Sequence, residues 1–291
     1  MKTLKLYVLI AFGASLLFSC KDDDDANYTP PRPYDEQYAT EIEAIDEYLT
    51  THYLEGTGLD ASIIEIPENG TQTPLSQHPN LTFKIVNKHD IEYKLYFLKL
   101  NEGVNERPSH VDSVFVTYKG WRFDGTQFDY VPNPVWFYHE NLAVDGWTHF
   151  FPELKTGIYN ESLNAFEDSG SGIVIIPSGL GYYNRTQTNI PAYSPLVFNI
   201  ELNTLRYRDH DRDGIQSRFE VENLGDDPRE YDSDGDGVYN YLDIDDDGDG
   251  ILTKKEIQRN SDGDLYPFDE IPACNGIKVH LDPACHGPIL E

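Results

Sequence analysis

Val116-Thr117-Tyr118-Lys119-Gly120 opens a run of six aromatic and glycine-centred pieces that lie in order through the middle of the chain. Asp124-Gly125-Thr126-Gln127-Phe128-Asp129 and Val144-Asp145-Gly146-Trp147 follow, then Ile176-Pro177-Ser178-Gly179-Leu180-Gly181-Tyr182 and Asn189-Ile190-Pro191. Leu196-Val197-Phe198-Asn199-Ile200-Glu201-Leu202 closes the run. Strand-like alternation begins at Ile91. Residues 92–100 and 113–121 are rich in Val, Tyr, Phe and Leu, with Gly103 and Pro108 marking the turn region between them. Residues 135–137, 172–176 and 196–205 supply further strands. A short helix is expected after Gly146, and Pro152 limits it to a turn or two. Strands of this kind around one short helix make an α+β arrangement.

In order, spacing and residue type the six pieces resemble the FKBP-type peptidyl-prolyl cis-trans isomerases. The resemblance implies a curved antiparallel β-sheet wrapped around a short helix, and one pocket that needs no cofactor for catalysis. Trp147 would form the floor beneath a proline ring, with Tyr118, Phe128 and Phe198 as walls. Val144 and Ile190 would line the rim and offer backbone amides to a substrate carbonyl. Tyr182 would donate its hydroxyl to the peptide, and Asp129 would bond Tyr118 or polarise the twisted amide. Taken singly, each aromatic reads as ordinary core. Two residues depart from the pattern. Val135 stands where many relatives carry an aromatic wall. Tyr183 replaces the glycine that usually follows the pocket tyrosine, which is expected to reshape or partly cover the mouth. Residues 155–169 look like an insertion, a hairpin turning near 160–164, and a similar segment occurs in lipoprotein FKBPs of gliding bacteria.

The chain has 291 residues and a formal charge of −29. That charge argues against nucleic acid, whose phosphates call for Lys and Arg. Lys2 and Lys5 precede an apolar run, residues 6–18, that is short for the ~20 residues of a membrane span. It ends Leu16-Leu17-Phe18-Ser19-Cys20, which resembles a bacterial lipoprotein processing site with Cys20 as the lipidated residue. The acidic residues 22–25 read either as a plain spacer or as a surface-export signal. Residues 27–33 are a Pro-rich tether. From 34 to 54, Tyr38, Ile42, Ile45, Leu49 and Tyr53 recur at helical spacing, which predicts an amphipathic helix ending before Gly56. Residues 60–87 read as short strands broken by Pro67, Gly70, Pro74 and Pro79. With Cys20 lipidated, Cys274 and Cys285 remain as an even pair, and a disulfide is the default in an oxidising compartment. Their spacing with His280 and His286 matches no common zinc pattern.

The acidic C-terminal part repeats. Asp209, Asp211, Asp213, Gly214, Ser217 and Glu220 share a register with Asp232, Asp234, Asp236, Gly237, Asn240 and Asp243. Asp245, Asp247, Asp249, Gly250, Thr253 and Glu256 make a third copy, and Asn260, Asp262 and Asp264 a degenerate fourth. Oxygen ligands at positions one, three, five, nine and twelve, with glycine at six, suit Ca²⁺, which takes about 6–8 oxygens. Only Ile244 separates the second loop from the third, so flanking EF-hand helices do not fit. The string resembles thrombospondin type 3 repeats, where calcium stands in for a core. Magnesium, which keeps its waters, suits the sites less well.

The domain plan expected from the sequence is therefore a signal peptide (1–19), a lipidated tether (20–33), an N-terminal helix with short strands (34–89), an FKBP-type domain (90–205), calcium-binding repeats (206–270) and a cysteine-containing tail (271–291). The expected function is isomerisation of X–Pro bonds in proline-containing client polypeptides of the envelope. The protein would act as a monomer, lipid-anchored to the outer membrane. A non-catalytic proline-binding chaperone and a calcium-dependent adhesion protein are the rival readings.

Overall fold

Three prolines at positions 30, 31 and 33 keep the chain extended until Tyr34, and Asp35 and Glu36 then occupy the first turn of a helix, where carboxylates favour the macrodipole. The computed structural model describes residues 30–138 and 142–286, and from Arg32 onward these residues form one compact unit. Cys20 and the acidic residues 22–25 lie outside the described residues. No described helix is long and apolar enough to cross a membrane.

Helix α1 spans Tyr34–Thr51. It ends earlier than its apolar spacing suggests, because His52 is extended and starts β1 (His52–Glu55), which pairs with β2 (Ser62–Glu65). Tyr53 therefore belongs to a hairpin. Strand β3 (Leu81–Lys88) pairs with β4 (Ile91–Asn101), so an FKBP-type domain starting at residue 90 would cut through the turn of a hairpin. Next come β5 (Ser113–Arg122), β6 (Gln127–Phe137) and α2 (Gly146–Phe150), whose continuation past Pro152 is a single 3₁₀ turn. The inserted hairpin is β7 (Ile158–Asn160) with β8 (Ala165–Glu167), followed by β9 (Gly170–Ile176) and β10 (Leu196–Arg206). The main sheet has six strands in the order β3-β4-β9-β10-β5-β6, every neighbouring pair antiparallel.

Both faces of this sheet are covered. On one, Val116 and Tyr118 of β5, Val174 and Ile176 of β9 and Phe198 and Ile200 of β10 pack against Trp147, Phe150 and Phe151 of the short helical segment. On the other, Ile45, Tyr48 and Leu49 of α1 cover Ile173, Ile175 and Val197. Each fully buried side chain of this size contributes about 1.5–3 kcal/mol. Strand β9, buried along its whole length, carries glycine where backbones crowd: a Cβ on Gly172 would sit 2.5 Å from the Leu98 carbonyl oxygen.

The buried stripe of α1 is not purely apolar. Gln37 and Glu41 lie on it. Glu41 accepts from the Ser178 backbone N–H at 2.8 Å, from the Ser178 hydroxyl, and from Gln37 Nε2 at 2.7 Å. Burial pushes its carboxyl up, against these hydrogen bonds. The helix thus grips the turn between β9 and Tyr182.

Beyond β10 the chain folds back on the sheet domain. The Arg208 backbone N–H donates to Asp112 at 2.9 Å, and the Tyr207 hydroxyl reaches the Arg107 carbonyl at 3.3 Å. The acidic part is not coreless: Ile215, Ile257, Ile271 and Val279 form a small buried cluster. The same part holds the single helical turn α3 (Thr253–Glu256) and the short antiparallel pair β11 (Ala273–Cys274) and β12 (Ile277–Lys278). Cys274 and Cys285 are joined by a disulfide, Cα to Cα 5.9 Å.

Two buried histidines give the fold an acid limit. Burial pulls His110, and likewise His280, down to about 4 from an ordinary value of 6.5. His110 also faces Asp227, Lys84, His149 and Arg229. Each imidazole stays neutral in the fold while the unfolded chain takes a proton below pH 6.5. The histidines' share of the stability is therefore expected to fall from pH 6.5 to about 4 and then level off, by up to about 3 kcal/mol each. Denaturation of the wild type and of His110→Gln across this window checks it: an unchanged pH dependence in the variant would refute the assignment.

Candidate active site and acidic loops

Strand alternation sends Tyr118 of β5 and Phe198 of β10 to the same side of the sheet, one strand apart, and α2 lays Trp147 across them. The rings meet edge to face: Trp147 lies 4.9 Å from Tyr118 and 4.9 Å from Phe198, centroid to centroid. Phe128 stands 5.4 Å from Phe198. Gly120 makes this possible, because a Cβ there would come within 2.5 Å of Phe128 and 2.8 Å of Phe198. Such edge-to-face packing fixes ring orientations that area burial alone would leave free.

These rings bound a cavity of about 300 Å³, lined also by Asp129, Val144, Tyr182 and Ile190. All eight residues expected from the sequence therefore face one space. Phe137, Leu142, Ala143, Gln187 and Thr188 line it as well, and the motifs did not flag them. Phe137 resolves the question raised by Val135. The register of β5 against β6 shifts between Val116 and Tyr118, where Pro132 and Pro134 leave no N–H for the ladder. Val135 consequently sits 37% exposed, outside the cavity, and Phe137 supplies the aromatic wall 5.1 Å from Trp147.

Tyr183 does not cover the mouth. It adopts φ +52°, is turned away from the cavity, and stacks on Tyr34 with centroids 4.0 Å apart. Its hydroxyl donates to the Arg32 carbonyl. Inside the cavity, the Tyr118 hydroxyl donates to Asp129 Oδ2 at 2.6 Å. Burial, then this bond and the carboxylate's charge, hold the Tyr118 phenol well above its ordinary range. Burial and the charge of Asp129 raise Tyr182 too, so both hydroxyls remain donors at neutral pH.

Behind the rim, Asp145 gathers two cations and a histidine. Lys88 Nζ lies at 2.8 Å, Arg229 Nη1 at 3.1 Å and His149 Nε2 at 3.5 Å. Burial opposes its ionisation, but hydrogen bonds from His149 and Lys88 outweigh that and hold the carboxyl well below the usual range. His110, His149 and Asp227 come close enough to share a metal ion. Arg229 already occupies Asp227 through both carboxylate oxygens, which makes the group an ion-pair junction instead.

The three acidic loops are built alike. At position three, Asp211, Asp234 and Asp247 each accept the N–H of position five, at 3.1, 3.0 and 3.2 Å. At position five, Asp213, Asp236 and Asp249 accept the N–H of position seven, at 2.7, 2.7 and 2.6 Å. The glycines at position six have φ of +109°, +96° and +92°, a conformation other residues rarely take. At position nine, Ser217, Asn240 and Thr253 turn inward and accept the N–H of position two, a bond that braces each loop.

Asp246, unmarked by the repeat, takes a different place. Its carboxylate, that of Asp213 and that of Glu220 have atoms within 4.8 Å of one another. All three are at least 96% buried. Both oxygens of Glu220 and of Asp246, and one each of Asp211 and Asp213, have no hydrogen-bond partner among the described residues. Burial, then mutual repulsion, pushes Glu220 and Asp246 far above the carboxylate range. An all-oxygen donor set of this kind fits a hard divalent cation, which would supply the missing charge.

Residues 104–203 match the family model described as FKBP-type peptidyl-prolyl cis-trans isomerase, and residues 210–280 match one described as BamM C-terminal. The chain thus carries an FKBP-type domain. It is 30% identical over 110 residues to the FKBP-type peptidyl-prolyl cis-trans isomerase FkpA of Escherichia coli K12, a match covering 37% of this chain and 36% of that protein. The chain therefore spans about a third of the length of the curated relatives it matches. Among solved structures, a peptidyl-prolyl cis-trans isomerase from Pseudomonas syringae pv. tomato is 25% identical, covering 45% of this chain and 84% of that one, with a TM-score of 0.35. FkpA from Escherichia coli matches at 25% identity and TM-score 0.35, covering 45% and 54%.

Proposed function

We propose that the protein catalyses cis-trans isomerisation of X–Pro bonds in exported polypeptides, in the cavity floored by Trp147. The observation that carries this reading is the convergence of all eight motif residues on one aromatic-walled cavity with a Tyr118–Asp129 hydrogen bond inside it. Resonance gives the peptide bond a barrier of about 18–20 kcal/mol. Water stabilises the planar polar amide more than the twisted one, so a cavity that strips water and grips the twisted form lowers the barrier. No nucleophile is required, only stronger binding of the transition state than of the ground state. In this role the proline ring lies on Trp147 between Tyr118, Phe128, Phe137 and Phe198. The Tyr182 hydroxyl and the Val144 amide hold carbonyls, whereas Ile190 only lines the rim, because its N–H, expected to face substrate, is already given to the Gln187 carbonyl at 3.1 Å. Asp129 orients Tyr118 beside the turning bond.

The acidic loops bind Ca²⁺ as structural ions in this proposal. Asp209, Asp211, Asp213, Glu220 and Asp246 serve one site, and the carboxylates of the other two loops serve theirs. Lipid on Cys20 would tether the protein to the outer membrane. A protease-coupled assay on an Ala-Phe-Pro-Phe type peptide tests the central claim. Acceleration in proportion to protein concentration is expected, and a rate no higher than buffer would sink it.

A further inference from the structure

Arg229 joins the acidic loops to the pocket. It lies three residues ahead of Asp232, the first carboxylate of the second loop, in a 3₁₀ turn, Pro228–Glu230, between the first loop and the second. Its guanidinium is largely buried and is aimed by Asp227, whose Oδ1 accepts from Arg229 Nε at 2.8 Å. From there Nη1 reaches Asp145 Oδ1 at 3.1 Å. Asp145 stands between two cavity residues: Val144 at the rim precedes it, and Trp147 on the floor follows two positions later. Asp145 also directly precedes α2, and its carbonyl accepts from the Thr148 hydroxyl at 2.8 Å.

We infer that Arg229 is a positioning residue for the pocket, through which cation binding in the acidic loops sets the placement of Val144 and Trp147. The inference rests on the calcium reading above. With cations bound, the two loops hold the turn at 228–230 in place and deliver the guanidinium to Asp145. Without them, facing carboxylates repel, the loops expand and the turn loses its supports on both sides. Lys88 and His149 then remain on Asp145, so the pocket survives but its rim is no longer fixed.

The test uses the full chain and Ca²⁺ alone as the probe, with calorimetry, hydrogen exchange and peptide kinetics side by side. In the wild type, calcium is expected to slow amide exchange in residues 144–150 about tenfold and to lower KM for an X–Pro peptide about threefold, leaving kcat unchanged. Arg229→Ala should bind the same number of calcium ions yet lose both responses, and Arg229→Lys should regain part of each. Calcium heat without altered exchange in the wild type, or calcium responses in Arg229→Ala equal to those of the wild type, would overturn the link while leaving calcium binding intact. No calcium heat at all would overturn both.

Discussion

Trp147→Ala is expected to lower kcat/KM for an X–Pro peptide at least about a hundredfold, the equivalent of roughly 2.7 kcal/mol of lost transition-state binding. The indole touches Tyr118, Phe137, Phe151 and Phe198, so its removal deletes the surface on which a proline ring would rest and frees the surrounding rings to shift. The same truncation should cost about 3–5 kcal/mol of stability, because a buried indole leaves a cavity that its neighbours refill only in part. Two companion variants separate chemistry from folding. Phe137→Ala should lower activity about tenfold, whereas Val135→Ala, outside the cavity, should stay within about twofold of the wild type. Activity assayed below the melting transition of each variant decides the matter: a Trp147→Ala protein that is folded and fully active would remove the pocket from the reaction.

Chelating calcium should loosen the acidic loops while the six-stranded sheet stays folded. A site held at a hundred times its dissociation constant contributes about 2.7 kcal/mol, so several such sites would match what the small Ile215–Ile257 cluster supplies. Removing the ions leaves the buried oxygens of Glu220 and Asp246 unpaired beside Asp213, and expansion relieves that repulsion. Limited proteolysis should accordingly cut within residues 209–264 in chelator and spare them in calcium, with cuts in the sheet domain rare under both conditions. Identical digestion patterns would contradict a structural role for the metal.

Most of the pocket was legible before any coordinates, because its residues are set by type and order: an aromatic in a strand of known alternation can point only one of two ways. What was not legible depended on register and on long-range contacts. The bulge at Pro132 and Pro134 moves the aromatic wall from the expected Val135 to Phe137, and alternation cannot count residues through a bulge. Glu41 looked like one more solvated carboxylate on an amphipathic helix, yet it spans 137 positions to hold Ser178. Tyr183 looked like an obstruction at the mouth, and only the fold shows its partner to be Tyr34. Asp246 lies between the ladder positions of its own loop and acquires a role from the first loop, which a repeat alignment cannot reveal.

The grip of α1 on the far face of the sheet has a consequence for how the molecule can be divided. The family match begins at residue 104, but Ile173, Ile175 and Val197 are shielded by Ile45, Tyr48 and Leu49, and the turn before Tyr182 is held by Glu41. A fragment cut to the matched residues would expose an apolar sheet face and lose two strands from one edge. A fragment meant to stand alone is therefore expected to need the chain from near Arg32, so the N-terminal helix belongs with the pocket.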